Sequence, residues 1–188
     1  AAMDEHGASV EDEFTVLVTD LSEPNLPPEN LVSIGTLKVM ENMPTGTVVG
    51  EFNATDPEGG ALVYMLTTGA GEINNSMFTV DANGTLRTAI IFDYENNESD
   101  YNIRVRVSDE HNASLEKSFV VKLLDQNEPP VIISIDGQNV LGSLYHEITM
   151  NENSSLEIEI NATDPEGDFI LFSKTAGDDR HLFDLNTT

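Results

Sequence analysis

Carboxylates recur in this chain at matched places. The heptapeptide N-A-T-D-P-E-G occurs at Asn53–Gly59 and again at Asn161–Gly167. Each copy sets two acids one residue apart, Asp56 with Glu58 and Asp164 with Glu166. A lone D-P-E-G is first of all a turn. Phe92-Asp93-Tyr94-Glu95 holds a second such pair. On an extended segment Asp93 and Glu95 point to one side, a placement compatible with a glycosidase-type carboxyl pair. No cleft-building insertion accompanies them, so catalysis is not expected. Further acids complete a matched set: Glu41, Asp109, and the run Asp125-Gln126-Asn127-Glu128-Pro129-Pro130. Many acids in loops and at strand ends suit a hard cation. Calcium takes six to eight oxygens, more than one loop between sandwiches supplies.

The elements that would position these acids repeat as well. Asp4-Glu5-His6-Gly7-Ala8-Ser9 matches Asp109-Glu110-His111-Asn112-Ala113-Ser114. At the same offset Phe14 matches Phe119, Asp20 matches Asp125, and Glu23-Pro24 matches Glu128-Pro129. The order reads as the end of one unit (1–24), a whole unit (25–129) and the first part of a third (130–188). A unit of about 105 residues is an ordinary domain size. Tyr101, Ile103, Val105 and Val107 alternate with polar residues, as do Phe14, Val16 and Val18, and Leu156-Glu157-Ile158-Glu159-Ile160. Period-two alternation places the apolar set on one face of a half-buried strand. Asp81-Ala82-Asn83-Gly84 and similar clusters mark turns between strands. The expected fold is all-β: tandem Greek-key sandwiches of about seven strands, linked end to end. A bacterial immunoglobulin-like or fibronectin-type sandwich is the runner-up.

In chain order, the whole unit carries a Glu near its first strand, a D-x-E pair, D-Y-E, an Asp after Val105-Arg106-Val107, and Asp125-x-Asn127-Glu128-Pro129. This set resembles the cadherin repeat, whose elements are Glu, D-x-D, D-R-E, Asp and D-x-N-D-N. The resemblance implies adhesive or architectural rods with Ca2+ at the joints between repeats. By resemblance, one downstream junction draws Glu41, Asp93 and Glu95 from the base of the whole unit. It takes Asp125, Asn127 and Glu128 from the linker, and Asp164 and Glu166 from the next unit. The upstream junction draws Asp20 and Glu23 from its linker, and Asp56, Glu58 and Asp109 from the top of the whole unit. The departures are D-x-E for D-x-D, Tyr94 for Arg, Glu128 for Asp, and Ser22 where Asn127 stands downstream. The last puts one upstream ion in question. Without cations the acids repel across the linker; with them the joint stiffens. Pro24, Pro27, Pro28, Pro129 and Pro130 restrict the linkers further.

Composition narrows the partners. A net charge of -26 repels nucleic acid and anionic membrane. There is no Cys, hence no disulfide and no C-x-x-C site. No apolar run is long enough to span a membrane. Ala1-Ala2-Met3 does not resemble a natural start, so the segment is expected to be cut from a longer extracellular or cell-surface chain. Sequons N-x-S/T occur at Asn53, Asn74, Asn83, Asn97, Asn112, Asn153, Asn161 and Asn186. They read either as a glycosylated surface protein or as turn composition in a bacterial adhesin. His6 and His111 share a loop position, and Glu157 and Glu159 read as a solvated strand face. The expected partners are other copies of the chain, other surface proteins, or glycans. The alternative of another class is a carbohydrate-binding module, which needs an exposed aromatic platform. Strand complementation between the partial end units of neighbouring chains ranks below simple truncation.

Overall fold

The computed structural model describes residues 1–19, 23–143, 145–174 and 184–185. A two-residue pair, β1 (Ala2–Met3) with β2 (Ser9–Val10), comes first. The sandwich follows. One sheet holds β3 (Glu29–Ser33), β5 (Val48–Thr55), β7 (Phe78–Val80) and β8 (Thr85–Thr88), in the order β3-β5-β8-β7, all antiparallel. The other holds β4 (Lys38–Met40), β6 (Val63–Leu66), β9 (Asp100–Ser108) and β10 (Ser114–Leu124), in the order β4-β10-β9-β6. Here β4 lies parallel to β10, and the other pairs are antiparallel. The chain therefore changes sheets between β3 and β4 and sets Glu41 beside the end of β10. Beyond the sandwich, β11 (Val131–Ile135), β12 (Gln138–Asn139) and β13 (Ile160–Thr163) form a separate three-stranded sheet.

The alternation in β9 does what its sequence predicts. Tyr101, Ile103, Val105 and Val107 are buried, and their polar neighbours face outward. They meet Leu31, Leu37, Val39, Val49, Phe52, Phe78, Leu86, Phe92, Val121 and Leu123 in one core. Where β6 ends, side chains replace a strand at the edge of β9. The Asn74 and Asn75 amide oxygens accept the backbone N–H of Asn102 (2.7 Å) and Arg104 (2.9 Å). A buried backbone donor needs such a partner. Gly84 ends the Asp81–Gly84 turn at φ +94°, and a Cβ there would lie 2.9 Å from the Phe52 carbonyl oxygen. Only glycine fits both conditions.

Two strand expectations fail. Residues 11–19 form no strand, and Phe14 is 86 % exposed. Leu156–Glu159 likewise stay outside β13. Alternation makes a strand only where a neighbour offers a ladder and a core. Among the described residues, 11–19 have neither, and Leu156–Glu159 are tied to a neighbour only at Glu159, which exchanges two hydrogen bonds with Asp136 (2.8 and 2.9 Å).

Candidate functional site

The D-P-E-G copies fold alike. The Gly59 N–H donates to the Asp56 carbonyl and the Gly167 N–H to that of Asp164, both at 3.1 Å. The glycines sit at φ +77° and +76°. The other matched loop repeats too. Asp4 Oδ1 accepts the N–H of His6 and Ala8, both at 2.9 Å. Asp109 Oδ1 accepts those of His111 (2.8 Å) and Ala113 (2.9 Å). The recurring histidines thus serve these loops through backbone N–H groups.

At the downstream junction Glu41 is the anchor. It is 0 % exposed, and both carboxylate oxygens are engaged. Oε2 accepts the Tyr94 N–H at 2.6 Å and Oε1 the Gln126 N–H at 2.8 Å. One side chain therefore ties the D-Y-E loop to the linker. Around it lie two groups of three acids whose oxygens come within 4.8 Å of one another: Glu41, Glu95 and Asp125, then Glu95, Glu128 and Glu166. Glu95 belongs to both. The second group crosses the linker, and Glu166 Oε1 accepts the Glu128 N–H at 3.0 Å. Glu166 Oε2 is buried without a hydrogen-bond partner.

Five acids this close disturb one another's ionisation. Desolvation, then repulsion from Glu41, Glu166 and Asp125, raises the Glu95 carboxyl above its usual range. Desolvation with the charges of Glu41 and Glu166 does the same to Asp125. Glu128 is pushed up to about 7 by desolvation, by sharing a hydrogen bond with Glu166, and by the charges of Glu41 and Glu95. Desolvation acts against ionised Glu166 as well. Its own N–H and that of Glu128 outweigh this and keep it low. Like charges that resist ionisation together are what a cation relieves. The donor set is all oxygen, and one oxygen of Glu166, a member of the second group, is buried without a hydrogen-bond partner. These features fit calcium better than a soft metal.

The remaining expected residues are placed differently. Asp93 lies beside the cluster but accepts the Asn96 N–H and side-chain amide, at 3.0 and 2.9 Å, and is in neither group. Asn127 donates to the Glu128 carbonyl at 3.0 Å. Asp164 Oδ1 accepts the Asp168 N–H at 3.0 Å. Upstream, Asp20 lies outside the described residues, and Glu23 is exposed. Asp56 Oδ1 accepts the N–H of Glu58 (3.1 Å) and Gly60 (2.8 Å), while its Oδ2 is buried without a partner. Glu58 accepts the Leu26 N–H at 3.4 Å. Asp109 is buried, and Asn25 donates to its Oδ2 at 2.8 Å. That bond first, with the His111 and Ala113 N–H groups, holds the Asp109 carboxyl low. Among the described residues no three acids gather at this end.

Two polar residues escaped the sequence reading. Asn25 binds Asp109, and the Asn42 amide binds Glu128 Oε1. Asn42 sits at φ 57°, and Glu152-Asn153 repeats the pair Glu41-Asn42 with Asn153 also at φ 57°. That recurrence was the available signal. Of the sequons, Asn53, Asn83, Asn97, Asn112 and Asn153 are exposed. Asn161 donates to Ser134 Oγ at 3.2 Å. Asn74 is buried at the edge of β9, where its amide serves as a hydrogen-bond acceptor. Asn186 lies outside the described residues.

Residues 36–124 match the family model of the cadherin domain. This segment is a cadherin domain. The chain is 34 % identical over 113 residues to a desmocollin 2-like protein of Danio rerio, covering 56 % of this chain and 12 % of that protein. It is 33 % identical over 118 residues to cadherin-18 of Bos taurus, covering 61 % and 14 %. The chain thus spans about one-eighth of these relatives. Human protocadherin-24 EC1-2 (crystal form II) superposes with a TM-score of 0.50 at 20 % identity, over 75 % of this chain and 60 % of that one. That likeness supports the sandwich alone. Cadherin domains belong to adhesion proteins and not to enzymes. Among the described residues no helix is long and apolar enough to cross a membrane.

Proposed function

We propose that this chain is a segment of an extracellular rod whose joints are stiffened by calcium and whose job is adhesive or architectural. The units are 1–24, 25–129 and 130–188, the middle one being the complete cadherin repeat. The observation that carries the reading is the pair of acid groups joined through Glu95, one of which crosses the linker to Glu166. Glu41, Glu95, Asp125, Glu128 and Glu166 would hold the ion or ions, with Asp93, Asn127 and Asp164 completing the shell after small rotations. Asp20, Glu23, Asp56, Glu58 and Asp109 are the matching upstream set. Bound calcium supplies positive charge that several elements share. Glu41 keeps the D-Y-E loop and linker in register, and Asn42 orients Glu128. Partners are other copies or other surface proteins, with glycans at the exposed sequons.

The carbohydrate-binding reading finds little support in the sandwich, and the exposed aromatics among the described residues, Phe14, Tyr145 and Phe169, come from three separate stretches of the chain. Phe52, Tyr64, Phe78, Phe92 and Tyr101 are buried in the core, and Tyr94 and Phe119 pack against it.

Thermal unfolding in chelator and in millimolar calcium tests the proposal. A ligand specific for the folded state adds RT ln(1 + [L]/Kd), about 2.7 kcal/mol at a hundredfold excess. For a domain of this size that is a rise of about 10 °C or more. Glu95→Ala, which removes a member of both groups, should abolish most of the rise. An unchanged midpoint in calcium would reduce the acids to surface charge and end the reading.

A further inference from the structure

Four of the chain's eight Lys and Arg stand on one surface, the outer face of the β4-β10-β9-β6 sheet. The registers place them there. Arg106 faces Glu116, Arg104 faces Ser118, and Lys122 sits between Asp100 and Lys38. Four cations share the strands of this face with only two acids, in a chain of net charge -26. Arg104 and Arg106 divide one carboxylate, Glu116, at 3.0 and 2.7 Å, and Lys122 holds Asp100 at 2.8 Å. Lys38 has no ion-pair partner among the described residues. Between the charges lie Met40, Val63, Met65 and Val120, each 39–46 % exposed. Half-exposed apolar side chains with charges around them have the make-up of a protein interface. None of the seven described sequon asparagines stands on this face. Asn53 projects from the opposite sheet, Asn83 and Asn112 lie in turns, Asn97 in a loop, and Asn74 is buried at an edge.

We propose that this face docks against the acid-rich surface of a second copy of the chain. Charge complementarity selects that occupant, because every copy presents 34 acids against eight bases. The net repulsion of two acidic chains does not forbid contact. At physiological salt, charges beyond about 8 Å are largely screened, so an approaching surface meets the local cations. Opposite local potentials speed encounter and set orientation, and the flanking apolar groups slow release. The inference rests on the adhesive reading but is tested apart from it. The calcium-dependent melting shift reports on the junction, and self-association reports on this face.

The test is sedimentation equilibrium of the whole chain in millimolar calcium, at 50 and 500 mM NaCl. Self-association is expected, weaker at least fivefold at the higher salt. Lys122→Glu should weaken it at least fivefold. Met65→Glu, a second exposed position on the same face, should do the same. Arg87→Glu on the opposite sheet is the matched control, since it also gives up one exposed ion pair, to Asp81 at 3.2 Å, and it should change association less than twofold. Equal weakening by all three variants, or none by the first two, would overturn the proposal. So would a monomer at both salts, including one retained on a sulfated polysaccharide through Lys122, which would give the face to an anionic glycan.

Discussion

Glu41→Ala is expected to lower the stability of the whole repeat by about 3 kcal/mol or more, even in chelator. The carboxylate accepts the Tyr94 and Gln126 N–H groups and is 0 % exposed. Hydrogen bonds to a charged group contribute about 1.5–3 kcal/mol each, and truncation leaves both donors orphaned. Glu41→Gln separates the two roles of the residue. It keeps an acceptor oxygen and removes one charge from the group it forms with Glu95 and Asp125. In chelator the Gln variant should therefore melt well above the Ala variant. In calcium both should lose most of the ion-induced rise. The check is urea unfolding of both variants in both conditions. An Ala variant within about 1 kcal/mol of the parent in chelator would show that the Glu41 clamp contributes nothing.

Phe92→Ala should be the most damaging core substitution near the site. Phe92 is buried against Tyr101 (centroids 4.8 Å apart) and Phe78 (5.4 Å), with those two rings 5.9 Å apart. Truncating a buried Phe costs about 3–5 kcal/mol, from lost transfer energy and the cavity left behind. At about 4–8 °C per kcal/mol this lowers the midpoint by about 12 °C or more. The position also gives the variant a functional readout. Phe92 immediately precedes Asp93-Tyr94-Glu95, and its carbonyl accepts the Asn42 N–H at 2.8 Å. A looser Phe92 lets Glu95 and Asn42 drift, so calcium affinity should fall along with the melting point. Phe119→Ala, at a ring packed on Phe52 at 4.8 Å on the other side of the core, should lower stability and leave affinity closer to the parent. Calorimetric titration of the folded variants below their midpoints separates the two outcomes. Equal affinity losses would mean that packing behind the loop does not position the site.

What could be read beforehand follows the range of the interactions. β9 was legible because its alternation is local and its partner strand follows it after a short turn. The D-P-E-G turns were legible because the glycine at φ near +77° and the Asx-type bonds lie within five residues. Glu41 was picked out as an acid, but its hydrogen bonds reach 53 and 85 residues along the chain. No local pattern announces them. Asn25 and Asn42 were passed over for the same reason, since their partners lie 84 and 86 residues away. The parallel edge strand β4 is too short for periodicity to speak. The strand pattern at Phe14–Val18 misled because alternation describes a face and says nothing of whether a partner covers it.

The central claim is that calcium stiffens the joint between the whole repeat and the segment after it. The absence of native Cys makes a direct measurement simple. Spin labels at Ala82→Cys, in the exposed β7–β8 turn, and Gln138→Cys, on exposed β12, span the Asp125–Pro130 linker. Pulsed dipolar spectroscopy then reads the distribution of distances between them. The account predicts a narrow distribution in millimolar calcium that broadens severalfold in chelator, and a broad one in both conditions for Glu95→Ala. A distribution of the same width with and without calcium in the parent chain would contradict it.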